Sequence, residues 1–148
     1  MSQLPRSADG LNDDARRELE NLNRAFPIYR LQKLDGDASF PLMIRNMSGS
    51  YQRYKKAQGT PIAMCQTLFP GKHIDAVLSF LNYEATAAIG MLSELKSKPA
   101  ALRNRAMLQA WQEDYIMLQD MEAFLKPLVR QNLPTYEPWD PNDPHTHF

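Results

Sequence analysis

The chain has 148 residues, 43% apolar and 23% charged, with 17 basic and 17 acidic residues and no formal net charge. That size and mix fit one globular domain, exclude disorder of the whole chain, and offer no bulk positive charge for nucleic acid. A single cysteine, Cys65, excludes an intrachain disulfide and points to a reducing compartment.

The opening MSQLPRSADGLNDD has no apolar run and turns acidic at once, so no signal peptide is expected. No apolar stretch approaches the ~18 residues that a membrane span needs. A cytoplasmic protein is expected, with no membrane partner.

A first helix is expected from Asn12 to about Ala25. Asn12 suits an N-cap, and Asp13 and Asp14 sit where the helix dipole favours negative charge. Its stripe is Ala15, Leu19, Leu22 and Phe26, and Pro27 is expected to end it. Ile28 to Leu34 alternates weakly and reads as an irregular crossing. Asp35-Gly36-Asp37 is a turn. A second helix follows, with Ser39 near its cap, Pro41 in its first turn and Met43, Met47, Tyr51 and Tyr54 along one face. Gly49 is a candidate kink, and Gly59 ends the helix. Thr60-Pro61 starts a short third helix to about Phe69, and Pro70-Gly71 turns the chain.

The strongest pattern runs from His73 to about Lys96. Ile74, Leu78, Leu81, Ala85, Ala88, Leu92 and Leu95 recur at alternating spacings of four and three, which predicts a long helix central to the fold. After Ser97-Lys98-Pro99 a fifth helix is expected from about Ala100 to Leu125, making an antiparallel hairpin with the fourth. Pro127 kinks or ends it.

The fold class expected is therefore all-α. It is a helical bundle on a long antiparallel hairpin, with shorter N-terminal helices and a Pro-rich C-terminal tail. Residues 1–11 read as a flexible N-terminus, 12–132 as the helical domain, and 133–148 (PTYEPWDPNDPHTHF after Leu133) as an extended or disordered tail.

Motifs for chemistry are sparse. The only histidines are His73, His145 and His147, and no Glu-x-x-His occurs for a di-iron bundle site. There is no G-x-S-x-G, P-loop or G-x-G-x-x-G. Cys65 sits among apolar residues and reads as inert. Asp114 falls in line with Ala110, Met117 and Met121. It is expected at the edge of that stripe, facing water or a lysine, rather than as a buried acid or base. No catalytic, cofactor or metal residue is expected, no small-molecule substrate is evident, and the chain is not expected to be an enzyme.

Two binding readings remain. The first is a non-enzymatic protein–protein interaction or adaptor protein, possibly homodimeric. Met117 and Met121 on the fifth helix would be adaptable contacts, with Tyr136 and Trp139 as anchors between tail prolines. The second is a nucleic-acid-binding or regulatory protein. The acid-free segments 45–56 and 96–105 would touch phosphate through Arg45, Arg53, Lys55, Lys56, Arg103 and Arg105, with tyrosines to stack on bases. A helix–turn–helix outline over Thr60–Tyr83 fits poorly, because its second helix carries almost no cations.

Overall fold

The computed structural model describes residues 10–130. Five helices carry them: α1 (Asp13–Asp35), α2 (Phe40–Lys56), α3 (Pro61–Leu68), α4 (Ile74–Ser97) and α5 (Arg105–Leu125). Short 3-10 segments at Ala100–Leu102 and Lys126–Arg130 flank α5. Among the described residues there is no strand, and no helix is long and apolar enough to cross a membrane. The all-α bundle follows the sequence pattern. Tyr136, Trp139 and the proposed tail lie outside the described residues.

Four helices form an up-down-up-down bundle, with α3 as the link between its halves. Phe40 packs on Trp111, with centroids 4.8 Å apart, and Tyr51 packs on Phe124 at 6.0 Å, so α2 and α5 run the same way. The Arg30 guanidinium lies 4.8 Å from the Phe80 ring and Lys33 pairs with Glu84, so α1 and α4 also run together. The close backbone contacts are α1 with α2, α2 with α5, and α5 with α4. The α1–α4 seam closes mainly through long side chains.

The largest departure from expectation is in α1. It does not stop at Pro27 but continues to Asp35. An interior proline removes one backbone hydrogen bond and clashes with the preceding turn, at about 3 kcal/mol. Beyond it, Tyr29 and Lys33 continue the row Ala15, Leu19, Leu22 and Phe26, and all six are buried. Helical geometry alone delivers both into the core, and that burial outweighs the break. The helix then ends on Gly36, whose φ of 64° needs glycine and whose N–H reaches the Gln32 carbonyl.

The other ends follow side-chain chemistry. Asn12 accepts from the Ala15 amide at 2.8 Å and donates to the Ala57 carbonyl at 2.7 Å, tying the start of α1 to the end of α2. Thr60 and Asn104 cap α3 and α5 by accepting from Ala63 and Met107. The fifth helix begins at Arg105, not Ala100, because Arg103 is extended and Asn104 takes the cap. Gly49 does not interrupt α2, which is continuous from Phe40 to Lys56.

The centre of the bundle is not α4. Its Ile74, Val77, Leu81, Ala85 and Ala88 are buried, but Leu78, Leu92 and Leu95 are only half-buried. Its closest helix contact is α5 alone, whereas α5 lies against α2, α3 and α4. The seven-residue repeat in α4 therefore marks one good seam rather than a central position.

Candidate functional site

Where α1, α4 and α5 converge, four ionisable side chains meet inside the bundle. Lys33 Nζ lies 2.6 Å from Asp114 Oδ2 and 2.9 Å from Glu84 Oε2. The Tyr29 hydroxyl donates to Asp114 Oδ1. The ammonium also sits 5.7 Å from the Trp111 ring centroid and 5.6 Å from that of Tyr29, which favours the cation further. Asp114 is fully buried and Lys33 nearly so.

Asp114 therefore does not sit at the edge of its stripe; it is an interior carboxylate that faces a lysine, itself interior. Burial pushes its carboxyl above the ordinary range, and Glu84 adds to the rise. The Lys33 ammonium and the Tyr29 hydroxyl pull it back only in part. Burial and the adjacent carboxylate hold the Tyr29 hydroxyl far above its usual range. The cavity beside this cluster, between Phe26, Arg30, Leu34, Phe80 and Leu118, measures about 10 Å³. That is space for one water at most, so in this conformation the cluster is closed to an organic substrate. What it does chemically is fix how α1 sits against α4 and α5, since one ammonium must reach two carboxylates from two helices.

A second, half-exposed network joins α2 to α5. Asp120 accepts from the Tyr51 hydroxyl at 2.5 Å and from Lys55. Burial would raise this carboxyl, but the Lys55 and Tyr51 hydrogen bonds outweigh it and the group lies below its ordinary range. On the outer α1–α2 seam, Arg53 Nε donates to Glu18 at 2.7 Å. Glu18 is likewise held low: slight burial is overcome by Arg53, with Asn21 and Arg17 assisting.

Half of the six residues proposed for phosphate are engaged within the fold. Arg53 and Lys55 are in ion pairs. Arg103 donates to the carbonyls of Lys96 and Lys98, both at 2.8 Å, and so closes the end of α4. Arg45, Lys56 and Arg105 are exposed. The C-terminal part of the 45–56 segment lies far from the 96–105 segment. Arg53, Lys55 and Lys56 are at the α2 end near Phe124, whereas Arg103 and Arg105 precede Trp111 at the opposite end of α5.

The proposed methionine contacts are also corrected. Met117 and Met121 are each 1% exposed and belong to the core, because α5 is covered on several sides. Cys65 is buried, and His73 caps α4 by accepting from the Asp75 amide at 3.2 Å. Among the described residues no group of three potential ligands could hold a metal.

Apolar exposure lies elsewhere. On the second half of α1, Ile28, Leu31 and Leu34 are 47%, 61% and 71% exposed; Ile28 and Leu31 lie on the side away from Leu22, Phe26 and Tyr29, and Leu34 lies at the flank, bordering the small cavity beside Phe26. Sequence reasoning missed this face because it did not extend the helix past Pro27. Once helical spacing is continued, the 28, 31, 34 progression is visible in the sequence.

No protein-family model, curated protein or solved structure matches this chain.

Proposed function

We propose that this chain is a helical interaction or adaptor protein that works by shape and apolar contact, with the outer face of α1 beyond Pro27 as its contact surface. The observation that carries the reading is the exposed run Ile28, Leu31 and Leu34. Fully burying one such side chain is worth about 1.5–3 kcal/mol, so three neighbouring exposed ones are a standing driving force for association. The closure of the buried ionic cluster supports the same reading, because the most unusual chemistry of the chain faces inward. The engagement of Arg53, Lys55 and Arg103 weighs against phosphate recognition. The single, buried Cys65 supports an intracellular setting.

The experiment is affinity capture from the native source, after nuclease treatment, with the natural chain and with Leu31→Glu plus Leu34→Glu. Support is a protein retained by the natural chain and lost from the double variant. Retention by both, or loss on nuclease treatment alone, overturns the reading.

A further inference from the structure

The outer face of α1 has a charge at each end of its apolar run. Counting ~100° per residue, Arg24, Leu31 and Asp35 fall within about 40° of one another, with Ile28 beside them. Arg24 and Asp35 are exposed. Among the described residues Arg24 donates only along its own helix, to Asn21 at 2.5 Å. Among the described residues neither Arg24 nor Asp35 is in an ion pair.

Cation, apolar run, anion is a self-complementary order. We propose that this face docks on the same face of a second copy of the chain, antiparallel, with the two-fold axis at Leu31. This inference rests on the reading of α1 as the contact surface and names its partner. In that register Leu31 meets the partner's Leu31, and Ile28 meets the partner's Leu34. Arg24 lies about 4.5 Å along the axis from the partner's Asp35, within reach of an arginine side chain. The two-fold makes the ion pair twice. A parallel arrangement would set arginine against arginine and aspartate against aspartate, and would align the helix dipoles unfavourably.

The test is sedimentation equilibrium of the full chain over a wide concentration range, with circular dichroism as a check on folding. The natural chain is expected to dimerise, and Leu31→Glu to weaken the dimer at least tenfold. Arg24→Asp alone and Asp35→Arg alone are each expected to be monomeric. Mixed together, they are expected to form a heterodimer, because both of its charge contacts are then attractive. Should either variant misfold, Arg24→Glu and Asp35→Lys replace the pair. A natural chain that stays monomeric overturns the inference. So does a dimer indifferent to the single charge changes, or a mixture that does not associate. A monomer that still captures another protein through Leu31 overturns the self-docking while leaving the proposed function standing.

Discussion

Lys33 on α1 and Asp114 on α5 form an ion pair at 2.6 Å with both side chains shut away from water, and Glu84 on α4 completes it at 2.9 Å. Eighty-one residues separate the first two in sequence, and the packing of three helices brings them together. The consequences differ for the two partners.

Lys33→Met leaves the buried Asp114 carboxylate without a cation and beside the half-buried Glu84. It is expected to cost about 3–5 kcal/mol in urea unfolding at neutral pH. Asp114→Asn leaves Lys33 paired with Glu84 and is expected to cost distinctly less. Equal losses, or the reverse order, would show that the cluster is not organised around the ammonium.

The acid limb of stability has two opposing contributors. Asp120 and Glu18 are held low in the folded chain. Their stabilisation is present above their unfolded values of 3.8 and 4.5 and is lost as pH falls through the folded ones. Asp114 is raised, so its contribution is full below 3.8 and is lost as pH rises through its folded value. Lys55→Gln is therefore expected to flatten the loss of stability below about pH 5, and Asp114→Asn to steepen it. Thermal unfolding at a series of pH values reads both, and matching slopes in all three proteins would contradict the assignment.

Gly59 closes against Tyr54. A methyl group at this position would come within 2.3 Å of the Tyr54 ring, which is buried and whose hydroxyl donates to the Thr60 carbonyl at 2.6 Å. Gly59→Ala is expected to destabilise by about 1–3 kcal/mol, the range for overpacking a core. A Tm unchanged from the natural chain would mean that the ring has room to move.

Asn12 acts at both ends of the first hairpin. Asn12→Ala removes the α1 cap and the bond to the Ala57 carbonyl. A loss of about 1–2 kcal/mol is expected, at the upper end for caps. Asn12→Asp retains the cap acceptor but not the donor to Ala57, so it is expected to fall between Ala and the natural residue. Chemical denaturation checks the order.

Most of the architecture was legible from spacing and caps. The α4 row, the Thr60-Pro61 start and the Asp35-Gly36-Asp37 turn are local, and the chain obeys them. What was not legible depended on distant residues. Pro27 reads as a stop because its cost is local, while the burial of Tyr29 and Lys33 that offsets it comes from α4 and α5. Asp114 lies on an apolar row, and nothing near it in sequence reveals that a lysine will arrive from α1. Met117 and Met121 fit a core row and a docking groove equally well until the neighbours of α5 are known.

Site-specific photocrosslinking in the native source tests whether α1 beyond Pro27 is a contact surface. A photoreactive residue at Leu31 is compared with one at Ile116, which is exposed to a similar degree (61% and 57%) but belongs to α5. A nuclease-resistant protein adduct is expected from position 31 and none from position 116. Adducts from position 116 with none from position 31 would contradict a contact surface on α1.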